Sequence, residues 1–215
     1  MKKIIALILA CLMLVSMVAC GNTNNDVNDT TDSESVENAP SKEELAANAS
    51  LEDIAKALIN KYTEYANMRA TYDEYMAELD EADKIPYEEY ISYQISVAPV
   101  EENAEWMMGL TAVPTGYAEA YCYQPTMMGQ AFIGYIFRVE EGTNVEAFKK
   151  FLTDNCDPRW NICTMANTTV CENYADIVYF SMMVVIDENN PHGFTAEQKD
   201  GFYNTFVETI EASAK

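Results

Sequence analysis

The stretch AFIGYIFRVEEGTNVEAFKKFLTDN, residues 131–155, predicts a strand, a tight turn and a helix in direct succession. β-Branched and aromatic residues dominate 131–142, a composition that favours an extended strand, and Gly142 supplies the turn. From 144 to 155 apolar side chains recur at helical spacing. Those on one face are Val145, Phe148, Phe151 and Leu152. The segment therefore indicates a chain that combines helices with a sheet.

The residues that follow predict two more strands and a last helix. One strand is expected over 160–166, and another over 175–187, where ADIVYFSMMVVID is nearly continuous in apolar residues. Such continuity indicates a central position in the sheet. The polar residues 167–169 predict a turn that joins the two strands into an antiparallel pair. Thr195 is expected to cap a C-terminal helix that runs to about Ser213.

The residues before this stretch predict one long helix and one strand. From Ser50 to Ala82 apolar and tyrosine residues recur at spacings of three, four and seven, which is typical of an amphipathic helix. Residues 90–97 alternate and predict a strand, and 115–129 are compatible with a short helix and a turn. Trp106 is expected to be buried. We therefore predict one globular α+β domain over 46–215. It should have a small mixed or antiparallel sheet of three to five strands with helices packed on one face, preceded by the long amphipathic helix.

The N-terminus has a basic start, an apolar run and a cysteine, in that order. Lys2 and Lys3 precede an uncharged apolar run, 4–19, that is short for a membrane span and ends directly before Cys20. This order resembles the signal segment of bacterial lipoproteins. The resemblance implies a signal peptide over 1–19 and a diacylglycerol on Cys20. An ordinary cleaved signal with an incidental Cys20, or an uncleaved anchor helix, is the alternative.

Residues 20–45 are expected to form a disordered acidic tether. They are polar, with Val27 and Val36 as the large apolar residues of 21–41, so they cannot bury enough surface to offset the entropy of ordering. A two-chain lipid anchor holds a protein durably on a bilayer. The expected location is the extracytoplasmic face of the cell membrane, with the membrane as partner through the N-terminal diacylglycerol.

The charge balance excludes some classes of partner. The chain has 13 basic and 35 acidic residues, a net charge of −22, and removing Lys2 and Lys3 with the signal leaves 11 basic residues and a net charge of −24. A charge of this sign repels nucleic acid. It favours solubility and cationic partners. The identity of a protein or small-molecule partner is left open.

Four cysteines remain once the N-terminal segment is set aside. An extracytoplasmic location permits disulfides among Cys122, Cys156, Cys163 and Cys171, in three connectivities. If the strands at 160–166 and after 169 form a hairpin, Cys163–Cys171 is the favoured bridge, and four free thiols are the default expectation. The spacing does not form a zinc knuckle, and His192 lies far away in sequence, so no metal site is predicted.

Three segments within residues 102–183 form a recognisable series. They are ENAEWMMGL, then YAEAYCYQPTMMGQAFIGYIFRVEEGTNVEAFKKFLTDNCDPRWNIC, then ADIVYFSMMV. The most specific motif is Asp157-Pro158-Arg159-Trp160 followed by Ile162-Cys163. Together these segments resemble a family of uncharacterised small lipoproteins of Gram-positive anaerobic bacteria. The resemblance implies an α+β domain on a lipid anchor, and it implies no particular activity.

The sequence holds no catalytic motif that we can assign, and no cofactor is predicted. His192 has no second histidine, and neither GxSxG nor a glycine-rich phosphate loop is present. Arg159 could clamp an anion over Trp160, although Pro158 and Trp160 are also explained as a helix stop and a core residue. Paired methionines could bind Cu(I) or fill the core. The predicted function is a non-catalytic binding or accessory module, and a carboxylate-based surface hydrolase acting on a glycan is the alternative.

Overall fold

The computed structural model describes residues 39–126, 131–161 and 163–213. Within these ranges the helices are α1 Lys42–Asn48, α2 Leu51–Tyr65, α3 Met68–Ala77, α4 Tyr87–Gln94, α5 Val145–Asp154 and α6 Ala196–Ala212. The strands are β1 Ile95–Pro99, β2 Tyr117–Pro125, β3 Phe132–Val139, β4 Thr168–Tyr174 and β5 Ile177–Met183. They form one antiparallel sheet in the order β1-β2-β3-β5-β4. The predicted α+β class is confirmed.

The two central strands, β3 and β5, come from the two most apolar stretches of the sequence. Their side chains alternate between the faces of the sheet, as the two-residue period of a strand requires. In β3, Phe132 and Ile136 face one hydrophobic cluster, whereas Ile133 and Phe137 face the other. Because both sides of these strands are apolar, both faces of the sheet must be covered.

Helices α1, α2 and α6 cover the first face, which we call the helical face. The buried stripe of α2 includes Leu51, Ile54 and Leu58, and it packs with Phe202 and Phe206 of α6. Helix α1 begins at Lys42 with a capping box between Ser41 and Glu44, inside the range that the sequence assigned to the tether. The C-terminal helix predicted from Thr195 is confirmed, since Thr195 is its N-cap.

Helix α5 and two irregular segments cover the opposite face, which we call the loop face. Phe148 and Leu152 of α5 pack there against Phe137 and Phe180. The prediction of helices on one face is therefore wrong in this detail. The physical reason lies in β3 and β5, whose second apolar side would otherwise be exposed to water.

The single long helix predicted over 50–82 is not observed. Helix α2 ends at Tyr65, and Asn67 adopts a left-handed conformation with φ 52° before α3 begins. The apolar period continues past the break because Tyr72 of α3 packs on Tyr87 and Tyr90 instead of on the sheet. The apolar period of 50–82 therefore covers two helices that pack on different surfaces: α2 on the sheet, and α3 on α4.

Three further secondary-structure predictions differ from the structure. Of the strand predicted over 90–97, residues 95–97 lie in β1, but 90–94 belong to helix α4, which has acidic residues in its first turn. Residues 117–125 form a strand, where a short helix seemed compatible with the sequence. No strand lies within the described part of 160–166. The partner of β5 is 168–174, and the turn of this antiparallel hairpin is at Ala175, with φ 50°.

Within the described ranges, no helix is both long and apolar enough to cross a membrane.

Candidate functional site

Two loops on the loop face hold each other in place. The β1–β2 loop is 100–116, and the α5–β4 loop is 155–167. The backbone amide of Thr111 donates to the carbonyl of Asn155 at 2.8 Å, and that of Asp157 donates to the carbonyl of Gly109 at 2.8 Å. Leu110 and Cys156 form an isolated β-bridge between them. This pairing satisfies backbone groups that would otherwise be buried without partners.

Gly109 is required at the crossing of the two loops. Its φ is +81°, and an added Cβ would lie 2.6 Å from Cε of Met182 and 3.8 Å from Cγ of Trp160. A side chain here would meet both a strained backbone and the core. Gly109 therefore lets the β1–β2 loop approach β5 closely.

A tyrosine anchors the other part of the β1–β2 loop to the sheet. The hydroxyl of Tyr135, on β3, donates to the carbonyl of Met108 at 2.7 Å. Tyr135 lies directly opposite Cys122 of β2 in the sheet register. Burial raises the pKa of the Cys122 thiol to about 12, so the thiol is neutral at physiological pH. Because a thiolate is the reactive form, Cys122 is not an activated nucleophile.

The β1–β2 loop leaves a groove of about 610 Å³ between itself and the sheet, which we call the Trp106 groove. Cys122 and Tyr135 are among its lining residues from the sheet, and Trp106, Met107 and Met108 line it from the loop. The volume is in the range of small-molecule pockets, ~300–1,000 Å³. Trp106 is 67% exposed, which contradicts the expectation that it is buried.

The charged residues among those that line the Trp106 groove are acidic. They are Glu101 and Glu105, and the described lining includes no lysine, arginine or histidine. Neither carboxylate makes an ion pair within the described ranges. A second groove of about 230 Å³ also touches Val100, and the charged residues among its described lining are Glu102 and Glu119. The charged side chains in the described lining of these two neighbouring grooves are therefore acidic.

The structure does not bring Arg159 and Trp160 together as a clamp. Trp160 packs against the core of the loop face, while Arg159 is exposed. The cation–π pairs found among the described residues do not include these two side chains. The carboxylate of Asp157 accepts from the backbone amide of Arg159 at 2.9 Å, and the amide of Ala166 donates to the carbonyl of Pro158. The motif forms a turn that supports the crossing of the loops.

The four cysteines are free thiols in this structure. Cys163 is exposed in the α5–β4 loop, and Cys171 lies in β4 opposite Phe180. The predicted Cys163–Cys171 bridge assumed a hairpin that contained both cysteines. That hairpin is wrong, because the observed hairpin joins β4 and β5 and Cys163 lies in neither strand. Burial raises the pKa of Cys171 to about 12. Cys20, the predicted lipid attachment site, and the signal segment lie outside the described residues.

Within the described ranges, no group of three or more His, Cys, Asp or Glu side chains is placed to hold a metal ion. Of the predicted site residues, Arg159, Trp160, Cys163 and Cys171 lie outside the lining of the Trp106 groove, whereas the methionine pair Met107-Met108 and Cys122 are part of it. The sequence signal that could have located it is a large aromatic residue within EENAEW, a strongly acidic segment that lies between two strands.

The sequence matches no family model, and it has no significant match among curated proteins or solved structures. The resemblance to small lipoproteins of Gram-positive anaerobes accordingly stays a prediction. The functional proposals rest on the geometry of the Trp106 groove and on the sequence.

Proposed function

We propose that this protein is a lipid-anchored, extracytoplasmic binding module that captures a small molecule in the Trp106 groove. One observation carries the proposal: a large indole stands exposed over a groove that is already formed. An exposed tryptophan forgoes the stabilisation that its burial would bring, which is about 25 cal/mol for each Å² of apolar surface. A ligand on the indole would recover part of that stabilisation.

The groove is held in shape before any ligand arrives. The bond from Tyr135 to the Met108 carbonyl and the backbone pairs between the two loops fix the loop that carries Trp106. A fixed loop loses little conformational entropy when a ligand binds, so more of the contact energy contributes to affinity. This favours a built binding site over a loose surface loop.

The chemistry of the lining supports binding in preference to catalysis. The one thiol in the lining, Cys122, is neutral at physiological pH because burial raises its pKa to about 12. The carboxylates Glu101 and Glu105 are both solvent exposed, whereas a general acid of a glycosidase sits in an apolar enclosure. Nothing in the described lining combines an activated nucleophile with a base.

The binding test uses the full-length protein in uncharged maltoside micelles, labelled with 5-fluorotryptophan. Two tryptophans give two ¹⁹F resonances, and Trp106→Phe assigns them. A library of small cationic, neutral and anionic fragments is then titrated. We expect some fragments to shift the Trp106 resonance while the Trp160 resonance stays in place. Tyr93→Ala, which removes an exposed aromatic residue outside the groove, is the matched control and should keep binding. If no fragment moves the Trp106 resonance at millimolar concentration, the proposed function is wrong.

The anchor is tested in cells that express the protein and grow on a labelled fatty acid. The wild-type chain should carry the label, and Cys20→Ala should be unlabelled and released from the membrane, because the thiol of Cys20 is the proposed acceptor. Cys163→Ala, which removes an exposed thiol from the domain, should remain labelled. Label retained on Cys20→Ala would refute the anchor.

The alternative function, a carboxylate-based glycan hydrolase, is favoured by the presence of two carboxylates in one groove. A panel of glycans separates it from binding. Turnover that disappears in both Glu101→Gln and Glu105→Gln, and persists in Glu74→Gln, would establish hydrolysis instead. We expect no turnover by the wild-type protein.

A further inference from the structure

We infer that the ligand of the Trp106 groove is a small organic ammonium cation with apolar substituents. The inference rests on the proposed function and specifies the ligand that the groove selects. Three features of the described residues support it: the charge of the lining, the type of the exposed aromatic side chain, and the dimensions of the groove.

The charge of the lining selects for a cation. Glu101 and Glu105 border the groove without a basic partner in the described ranges, and Glu102 and Glu119 line the neighbouring groove across Val100. Among the residues that the structure describes, Glu119 is the one of these four with an ion pair, its Oε2 lying 3.9 Å from Nε of Arg138. An anionic ligand would meet repulsion, and a neutral ligand could at most donate hydrogen bonds to the unpaired carboxylates, without the charge–charge attraction that a cation gains.

The exposed side chain is the one best suited to a cation. The face of an indole carries negative charge density, and tryptophan attracts ammonium groups more strongly than tyrosine or phenylalanine does. Met108, which is half-buried, adds a polarisable thioether side chain beside Trp106 that can contact alkyl groups, and Met107 behind it belongs to the core. The groove therefore offers a face for the charge and an apolar wall for its substituents.

The dimensions and the lining of the groove argue against a metal ion and against a long basic polymer as the ligand. A groove of about 610 Å³ is larger than a metal ion requires, and the described ranges contain no cluster of three metal-ligating side chains. A long basic polymer would bind along an extended acidic surface and would not need this groove. A compact organic ammonium fits both the size and the lining.

The decisive experiment compares choline with 3,3-dimethyl-1-butanol, which has nearly the same shape but a carbon in place of the charged nitrogen. Each is titrated into the full-length protein in maltoside micelles, and the ¹⁹F resonance of Trp106 is followed. We expect choline to bind about ten-fold more tightly than the neutral alcohol. Added sodium chloride should reduce this preference, because salt screens exposed charges.

Variants separate the local carboxylates from the overall negative charge. Glu101→Gln combined with Glu105→Gln should remove most of the preference for choline. Glu74→Gln combined with Glu78→Gln removes the same charge from exposed positions at α3 and should leave the preference intact. An equal loss in both double variants would mean that the net charge alone attracts the cation, which would contradict the inference.

The remaining outcomes separate a failure of the ammonium inference from a failure of the proposed function. If the alcohol binds as tightly as choline, or if only neutral or anionic fragments shift the Trp106 resonance, the ammonium inference is wrong and the binding module stands. If no compound of any charge shifts that resonance, the proposed function itself fails.

Discussion

The two faces of the sheet are covered by different means. On the helical face, ring stacking joins α2 and α6 to β3: the centroids of Tyr62 and Phe132 are 4.8 Å apart, and those of Phe132 and Phe202 are 5.0 Å apart. On the loop face, one helix and two loops cover an equally apolar surface. A helix satisfies its own backbone hydrogen bonds, whereas a loop must find partners elsewhere. The loops find them in each other and in Tyr135, and the groove remains between loop and sheet.

The difference indicates a division of roles. Side chains buried on the helical face should contribute strongly to the free energy of unfolding, because they fill a close-packed core. The β1–β2 loop should determine ligand binding, because its few anchors shape the Trp106 groove. Four predictions test this division, from the largest expected effect to the smallest.

Phe132→Ala should reduce the free energy of unfolding by about 3–5 kcal/mol, the usual cost of truncating a buried phenylalanine. Phe132 is 2% exposed and contacts the rings of Tyr62, Phe194 and Phe202. Urea denaturation followed by circular dichroism measures the change. The matched truncation on the loop face is Trp106→Ala, which should change stability by no more than about 0.5 kcal/mol. Equal losses in the two variants would contradict the division.

Cys122 should react with iodoacetamide at least about a hundredfold more slowly than Cys163 in the native protein at pH 8. Burial raises the pKa of Cys122 to about 12, so its thiolate is scarce at this pH, whereas Cys163 is exposed. Since the thiolate fraction rises about ten-fold for each pH unit below the pKa, the rate for Cys122 should increase on going from pH 8 to 10.

Peptide mass mapping after timed quenching measures these rates, and unfolding the protein in urea is the control that should make them similar. Alkylation of unfolded protein without reductant should label Cys122, Cys156, Cys163 and Cys171. A resistant pair would reveal a disulfide in place of the free thiols.

Gly109→Ala should reduce the free energy of unfolding by about 2–3 kcal/mol, because both a positive φ and a steric overlap oppose the new methyl group. The φ of Gly109 is +81°, and its Cβ would lie 2.6 Å from Cε of Met182. Gly142→Ala separates the two causes, since its φ is +86° and its Cβ would meet no atom within 4 Å. It should cost only about 1 kcal/mol. A similar cost for both variants would show that the loop moves freely away from β5.

Tyr135→Phe should reduce stability by about 1 kcal/mol, the net value of one hydrogen bond between neutral groups. The hydroxyl lost is the donor to the Met108 carbonyl at 2.7 Å. Hydrogen exchange should increase in the β1–β2 loop and remain unchanged in α2 and α6. Tyr90→Phe is the control, because it removes a hydroxyl from α4, which packs on α3 and lies outside this loop. Faster exchange throughout the domain would place Tyr135 in the global core instead.

Local patterns in the sequence were sufficient for the central strands and for two of the helices. The apolar stretches at 131–142 and 175–187 became β3 and β5, and the helical spacing after Asn144 and Thr195 became α5 and α6. These elements bury a large part of their own surface, so their amino-acid order carries the signal of that burial. The acidic composition and the apolar run before Cys20 are likewise properties of the sequence alone.

The edges of the sheet and the site were decided only by the tertiary structure. Strands β1, β2 and β4 are less apolar, so local patterns located them poorly. Residues 95–97 of the strand predicted over 90–97 do lie in β1, but 90–94 are helical, and no strand lies within the described part of 160–166. The Trp106 groove combines one loop with Cys122 and Gln124 of β2 and Tyr135 of β3, and hydrogen bonds between remote segments set its shape. The exposure of Trp106 is likewise a tertiary property, because an apolar side chain is buried only where the fold provides a surface to cover it.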